Sequence, residues 1–213
     1  MNNSILKITL GALLAAFTLN ANAQKAYNEG VATYSLSTAA GASEAKVYFT
    51  ADSSATVTLQ GPATIRVVSN TKGTYAAIAV DVPVASIKKV AVLTPDEVEQ
   101  TLGEIPKMTF TPSTETKTIN GFNCKKVSAK DAKSGSNITV WVTNDITAPA
   151  NSVTKSFANA GGVPVQFSTT QQGQEVSVEL KSIVAQKVPA GTFGIPAGFD
   201  KISLEDLKSL GGR

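Results

Sequence analysis

The chain has 213 residues, of which 19 are basic and 16 acidic, for a formal net charge of +3 at pH 7. So mild a charge argues against nucleic-acid binding, which requires a concentrated basic patch. The single cysteine and the absence of histidine exclude an internal disulfide, histidine-dependent catalytic triads and metal sites built from histidine or thiolate clusters.

The first 23 residues have the pattern of a secretory signal peptide. Lys7 supplies the positive start, residues 8–19 form a short apolar stretch, and a small-x-small pattern ends at Ala23. The pattern predicts cleavage between Ala23 and Gln24 and export by the Sec route to the periplasm or beyond the cell. The remaining residues, 24–213, are predicted to form one domain without a membrane-spanning helix.

The segment after the signal sequence predicts an antiparallel β-meander. Short runs rich in valine, isoleucine, threonine and tyrosine alternate with turn formers such as Gly61-Pro62. Such close spacing leaves no room for crossover helices. The predicted strands are Val31–Ser37, Ala45–Thr50, Ala55–Leu59, Thr64–Val68 and Thr74–Val82.

A short helix is predicted next. Thr94 suits the N-cap, Pro95 the first turn, and Glu97 can complete a capping box. Gly103 and Pro106 limit the helix to about two turns.

Three strands follow, joined by two turns. Asn120-Gly121 is a strong type I′ hairpin signal, because both central positions of that turn need a positive φ. In the third strand Ile138, Val140 and Val142 share one face, so Trp141 lies on the other. The predicted strands are Glu115–Ile119, Phe122–Ser128 and Asn137–Thr143.

The C-terminal part predicts a helix, a hairpin and a final helix. Asn151–Ala160 fits an amphipathic helix that ends at a glycine pair, and Ser203–Leu210 fits a second one. Between them, Pro164–Thr170 and Glu175–Lys187 form a hairpin. The apolar residues of its second strand change parity, which predicts a bulge near Lys181-Ser182.

Few residues offer catalytic or metal chemistry. Ser152 and Lys155 are one turn apart on the predicted helix but lack the partner motifs of serine–lysine enzymes. The Asp131–Gly135 turn lacks the alternating acidic ligands of a calcium loop. Cys124 is interpreted as a small core residue, with a nucleophilic role or an intermolecular disulfide as alternatives. We therefore predict a protein that is not an enzyme and uses no cofactor or metal.

Three motifs together carry a family resemblance. They are Asn120–Lys126 (NGFNCKK), Ile138–Thr143 (ITVWVT) and Gly194–Phe199 (GIPAGF). In this order they resemble domain of unknown function 4412, an exported bacterial family that is similar to the LolA/LolB lipoprotein carriers. The resemblance implies a mainly β fold with a few short helices, arranged as an antiparallel half-barrel whose helices lid its concave face.

The resemblance and the excluded chemistries lead to two functional hypotheses. The first is a periplasmic non-catalytic binding protein with an apolar cavity for a lipid or acyl chain, lined by Trp141, Phe157 and Phe167. The alternative is an envelope structural or interaction module that holds a protein partner at an exposed sheet edge. The sequence allows two placements for the side chain of Trp141. It could point outward with its threonine neighbours or inward into the cavity, and we favour the inward placement.

Overall fold

The computed structural model describes residues 24–39, 41–171 and 174–211. The predicted signal peptide, residues 1–23, lies outside the described residues. Within them the fold is mainly β, with two α-helices, Pro95–Gly103 (α1) and Leu204–Gly211 (α2). The strands are β1 (Lys25–Ala26), β2 (Gly30–Thr38), β3 (Gly41–Phe49), β4 (Ser53–Gln60), β5 (Ala63–Asn70), β6 (Ala76–Val82), β7 (Ile87–Val92), β8 (Met108–Ile119), β9 (Phe122–Asp131), β10 (Asn137–Thr143), β11 (Ile146–Thr147), β12 (Val163–Gln171), β13 (Gln174–Ala185) and β14 (Asp200–Lys201).

Twelve of the described strands form one sheet, in the order β14-β7-β6-β5-β4-β3-β2-β13-β12-β10-β9-β8. Neighbouring strands are antiparallel except β14 and β7, which are parallel. The two edge strands, β14 and β8, do not pair with each other, so the sheet stays open. β1 and β11 form a separate parallel pair. The predicted open antiparallel architecture is confirmed.

The β8–β9 hairpin has the turn that its sequence predicts. Asn120 has a φ of 49° and Gly121 a φ of 84°, the positive values that a type I′ turn requires. Ile119 pairs with Phe122 directly across the turn. The local sequence therefore sets the register of this hairpin.

The predicted bulge in β13 is also present. The pairing of β13 with β2 shifts register between Leu180 and Ser182. Leu180 pairs with Tyr34 and Ile183 with Ala32. Because Tyr34 and Ala32 are two residues apart on β2, the bulge returns Ile183 to the face occupied by Leu180.

Strand alternation divides the sheet into an inner and an outer face. The inner face carries most of the main core, including Val47, Val140, Phe167 and Leu180, all 3% exposed or less. The outer face of the same strands carries polar and charged side chains, such as Lys46, which lies between Ala45 and Val47. One side of the sheet therefore packs the core while most of the other faces water.

The segment 148–160, here termed the strap, lies against the inner face. The predicted helix over Asn151–Ala160 is wrong, because the strap has only one 3-10 turn, at Lys155–Phe157. The Asn151 Oδ1 accepts a hydrogen bond from the Val153 backbone N–H at 3.0 Å, and Thr154 Oγ1 accepts one from Asn151 N–H at 3.2 Å. The backbone bonds of the strap join residues three apart, such as Thr154 N–H to Asn151 C=O at 3.1 Å and Phe157 N–H to Thr154 C=O at 2.9 Å, so the segment forms tight turns instead of an α-helix.

The two α-helices follow their sequence signals. Thr94 and Glu97 form the predicted capping box at the start of α1. Ser203 accepts a hydrogen bond from the Asp206 backbone at 3.0 Å at the start of α2. No helix among the described residues is long and apolar enough to cross a membrane.

The outer face is covered at the β14 end of the sheet. Ala77, Ala79 and Val90 form a small buried cluster there, and Phe199 and Tyr75 pack against it. The segment that precedes β14 thereby shields small side chains on the outer face of β6 and β7. The C-terminal part thus helps to stabilise that end of the sheet.

Candidate functional site

The strap leaves a cleft on each side of it over the inner face. We call the larger one the valine cleft, with a volume of about 490 Å³. Its lining combines aliphatic side chains of the sheet with hydroxyl groups and residues of the strap. The lining residues are Leu36, Ala45, Thr56, Thr58, Gln60, Ile65, Val67, Ile78, Ser152, Val153, Ser156, Phe157, Phe167, Thr169, Val176 and Val178.

The floor of the valine cleft is only partly covered. Ile65, Val67 and Ile78 point to the inner face of β5 and β6 and stay half-buried. By contrast, Val176 and Val178 beside the strap are 4% and 2% exposed. The strap therefore shields the β12–β13 side of the inner face and leaves an apolar surface open over β4–β6.

Phe157 and Phe167 form the wall between the strap and the valine cleft. Their ring centroids lie 4.5 Å apart at an interplanar angle of 51°. Both residues line the cleft and both belong to the main core. The structure thus brings together two of the three residues that the sequence nominated for a cavity.

The strap is also tied to the sheet by polar contacts. The Ser152 hydroxyl hydrogen-bonds the Thr56 hydroxyl on β4. The Asn151 Nδ2 donates to the Tyr34 hydroxyl on β2 at 3.4 Å. Burial raises the pKa of Tyr34 to about 12, and the Asn151 hydrogen bond offsets part of that rise. Tyr34 is therefore a neutral structural anchor at physiological pH.

On the other side of the strap lies the asparagine cleft, of about 410 Å³. Its floor is apolar and includes Phe49, Leu180 and Ile183, whereas amide side chains lie along its wall and rim. The full lining is Gln24, Ala32, Tyr34, Phe49, Asn144, Ile146, Thr147, Ala148, Pro149, Ala150, Asn151, Thr154, Ala158, Asn159, Gly161, Gly162, Val163, Pro164, Leu180 and Ile183. Sequence reasoning missed this cleft, because its asparagines are spread over an irregular segment that gives no periodic signal.

Trp141 is the third nominated residue, and the structure does not place it in either cleft. It pairs with Lys126 on β9 and Gln166 on β12, on the face opposite Val140. The Lys117 Nζ lies 4.2 Å from the centre of its ring. The favoured inward placement of Trp141 is wrong. Val140 and Val142 are buried on the inner face, and Trp141, which lies between them on β10, points to the other face.

Cys124 occupies the core, as predicted. Its side chain is 1% exposed and belongs to the main core cluster. Burial, assisted by the negative charge of Asp145, raises the pKa of the thiol to about 11. A buried thiol that stays protonated near neutral pH is a poor nucleophile.

The remaining sequence candidates have structural roles. The Asp131 carboxylate accepts hydrogen bonds from the Lys133 backbone at 2.8 Å and the Ser134 hydroxyl at 2.9 Å, which stabilises the β9–β10 turn. Among the described residues no group of three or more acidic or cysteine side chains could hold a metal ion. The Ser152 hydroxyl hydrogen-bonds the Thr56 hydroxyl.

Comparison with known sequences identifies the family. The sequence model of the family described as "Domain of unknown function (DUF4412)" matches residues 28–199. The chain belongs to the DUF4412 family. None of the curated proteins matches the sequence.

Comparison with solved structures gives only distant likenesses. Two crystal forms of PNGF-II, in space groups C2 and P21, are similar at 17% and 16% identity, with TM-scores of 0.48 and 0.47. The two alignments cover 85% and 86% of the DUF4412 chain. They cover only 32% and 33% of the PNGF-II chain, so the DUF4412 chain spans about a third of its length. LprF from Mycobacterium bovis is similar at 12% identity, with a TM-score of 0.37 and coverage of 81% of this chain and 90% of LprF. Likeness at this level does not bear on function.

Proposed function

We propose that this DUF4412 protein is an exported, non-catalytic binding protein that holds an apolar ligand, such as an acyl chain, in its valine cleft. The observation that carries the proposal is the half-buried aliphatic floor of Ile65, Val67 and Ile78 beside the Phe157–Phe167 wall. Export rests on the signal-peptide pattern of residues 1–23.

The size and chemistry of the valine cleft suit an apolar chain. Small-molecule sites are mostly apolar and have volumes of about 300–1,000 Å³, and the valine cleft has about 490 Å³. Covering Ile65, Val67 and Ile78 would remove apolar surface from water at about 25 cal/mol per Å². An acyl chain provides such a cover and brings no polar group of its own to this floor.

The clefts offer little for catalysis. Hydroxyl and amide groups supply most of their polar atoms, and Tyr34, with its pKa near 12, is the titratable residue among their described linings. General acid–base catalysis works best with a group that titrates near the operating pH. A binding role therefore fits this face better than a hydrolytic one.

Two neighbouring substitutions on β4 test the proposal. Thr58 lines the valine cleft, whereas Leu59 points to the outer face and is 62% exposed. The wild-type protein should bind the neutral fluorescent probe N-phenyl-1-naphthylamine, and Thr58→Trp should weaken that binding by at least about tenfold, or 1.4 kcal/mol. Leu59→Trp should bind like the wild type. Equal binding by both variants, or no binding by the wild type, would contradict the proposal.

The alternative of a protein partner has one observation in its favour. β8, Met108–Ile119, is a 12-residue edge strand, and among the described strands it pairs with β9 alone. However, the register shifts between Pro112 and Thr116, and proline and bulges are the devices that keep edge strands from pairing. Crosslinking that recovers one stoichiometric protein through β8, from a sample free of lipid, would favour this alternative.

A further inference from the structure

A second cavity adjoins the valine cleft at the end of the sheet where β2 and β4 end and β13 begins. We call it the mouth; it has a volume of about 430 Å³, and its lining includes Ser43 and Gln174. The strap contributes no residue to this lining, so a molecule in the valine cleft can extend into the mouth without passing under the strap. The residues that line both cavities are Leu36, Thr58, Gln60 and Val176.

Exposure of the inner face rises towards the mouth. Along β4, the inward-pointing Thr56 is 7% exposed, Thr58 is half-buried and Gln60 is exposed. β3 shows the same change, from Val47, which is buried, to Ser43, which is exposed. The inner face is therefore covered near Thr56 and open to water at the mouth.

The covered end of the valine cleft offers no free polar partner to a ligand. Thr56 pairs with Val67 across β4 and β5, and Val67 with Ile78 across β5 and β6, so two of the three neighbours are aliphatic. The Thr56 hydroxyl is already hydrogen-bonded to Ser152. A polar group of a ligand would lose its water here without gaining a partner, which is costly. This end therefore suits an apolar tail.

The polar side chains at the mouth, by contrast, are free. Among the described residues, the side chains of Ser43, Thr58, Gln60 and Gln174 have no hydrogen-bond partner. Hydroxyl and amide groups both donate and accept hydrogen bonds, so they pair with a hydroxyl, ester or carboxylate group. The mouth therefore offers a polar group both water and hydrogen-bonding partners.

We infer that the ligand is a single-chain amphiphile that lies with its tail at Val67 and Ile78 and its polar end at the mouth, where Gln60 and Gln174 bind it. This inference rests on the proposed function and adds the orientation of the ligand and the residues that hold its polar end. Thr56 and Gln60 are about 13 Å apart along β4, a distance that a long acyl chain spans.

Spin-labelled stearic acids test the orientation, because a nitroxide quenches a tryptophan that lies close to it. One lipid carries a doxyl nitroxide near its methyl end and the other carries it next to the carboxylate. In a Trp141→Phe background, Val67→Trp reports on the covered end and Ser43→Trp on the mouth. The indole at position 67 should lose more emission with the methyl-end label, and the indole at position 43 with the carboxylate-end label.

Two further variants in the same background complete the test. Ile78→Trp is a second reporter for the covered end, because Ile78 lies beside Val67 and lines the valine cleft. Val57→Trp is the matched control on β4, since Val57 lies between Thr56 and Thr58 but lines neither the valine cleft nor the mouth. It should lose less emission with either lipid than the reporters do.

The outcomes separate the inference from the proposed function. If N-phenyl-1-naphthylamine binds but the stearic acids do not displace it, or if they bind with the opposite order of quenching or with no order, the inference is overturned and the proposed function stands. If the probe does not bind and the lipids do not either, the proposed function fails, and the inference with it.

A double variant tests the two glutamines at the mouth. Gln60→Ala with Gln174→Ala should raise the concentration of palmitate that displaces the probe by about threefold to tenfold, relative to that of hexadecane, through the loss of two hydrogen bonds. Hexadecane is the reference because it has no polar end. Gln100→Ala is the matched control, since Gln100 is exposed on α1 and lines neither cavity. An unchanged ratio in the double variant would overturn the assignment of Gln60 and Gln174.

Discussion

The rings of Phe157 and Phe167 are in direct contact, with centroids 4.5 Å apart, and this contact joins the strap to the sheet. Phe157 is 2% exposed and Phe167 3%, so both rings are removed from water. The same pair forms one wall of the valine cleft. The stability of the strap and the shape of the cleft therefore both depend on this aromatic contact, beside the polar contacts of Asn151 and Ser152 with the sheet.

Phe157→Ala should destabilise the protein by about 3 kcal/mol, the usual cost of truncating a buried aromatic side chain. The loss should appear as a lower midpoint in urea-induced unfolding. Ser156→Ala is the control, because Ser156 is the neighbouring strap residue and is half-buried; its effect should stay within about 0.5 kcal/mol. Equal midpoints for the two variants would show that the strap is not anchored by the ring pair.

Cys124 should resist thiol reagents until the protein unfolds, because it is buried and its pKa is raised to about 11. The measurement is the rate of reaction with a disulfide reagent near neutral pH, with and without denaturant. Rapid reaction of the folded protein would contradict the core assignment.

The raised pKa of Cys124 also predicts a dependence of stability on alkaline pH. The folded state holds the proton more tightly than the unfolded chain, whose thiol has its ordinary pKa of 9.0. The stabilising contribution is therefore complete below pH 9.0 and is lost as the pH rises towards about 11. The test is best made between pH 9 and 10, because this range lies below the ordinary pKa of Tyr34, 10.0, so that the other buried titratable group contributes little. In this range Cys124→Ala should lose less stability per pH unit than the wild type. Identical slopes would contradict this assignment.

Local signals predicted much of the fold. The Asn120-Gly121 turn, the capping box at Thr94 and the parity change at Lys181-Ser182 each depend on neighbouring residues, and each is present in the structure. A β-strand shows its two faces in its sequence, so the predicted strands of the meander largely match β2–β6.

The strap shows why the site was harder to predict. Its apolar residues Val153 and Phe157 have helical spacing, but the backbone bonds of the strap join residues three apart and form turns instead of an α-helix. Which face of β10 is the inner one depends on strands far away in the sequence, so alternation alone left two placements for Trp141. The clefts themselves arise where the strap crosses β2, β4 and β13, and no local pattern records that crossing.

Glu179 should stabilise the fold in a pH-dependent manner. Its carboxylate accepts hydrogen bonds from Asn120 at 2.9 Å, Lys181 at 3.0 Å and Gln166 at 2.9 Å. The bonds from Asn120 and Lys181 are the main reasons why its pKa is lowered from 4.5. Since the folded pKa is the lower one, the stabilising contribution is complete above pH 4.5 and is lost as the pH falls through the folded pKa.

Glu179→Gln should therefore lower the free energy of unfolding by about 1–2 kcal/mol near neutral pH. As the pH falls, the free energy of unfolding of this variant should decrease less steeply than that of the wild type. Glu175→Gln is the matched control on the same strand, because the exposed Glu175 has no hydrogen-bond partner among the described residues. The measurement is the free energy of unfolding from neutral pH to about pH 3. An acid response in Glu179→Gln as steep as in the control would contradict the proposed role.

Trp141 provides a test of which face of the sheet binds ligand. It lies on the outer face under the Lys117 ammonium, which also donates to Gln166 Oε1 at 2.7 Å. Lys117→Ala should cost about 0.5–1 kcal/mol through the lost cation–π contact and increase quenching of the tryptophan emission by acrylamide. Lys117→Met keeps most of the apolar stem over the ring, so its quenching should stay near that of the wild type.

A ligand in the inner clefts should leave the Trp141 emission unchanged, because the sheet separates the indole from the bound molecule. A reporter on the other face should respond to the same ligand. Phe167→Trp in a Trp141→Phe background places an indole at the wall of the valine cleft. Hexadecane or monopalmitin should shift the emission of this indole to shorter wavelength as water leaves the cleft. A shift seen with Trp141 and not with the indole at position 167 would place the ligand on the outer face of the sheet.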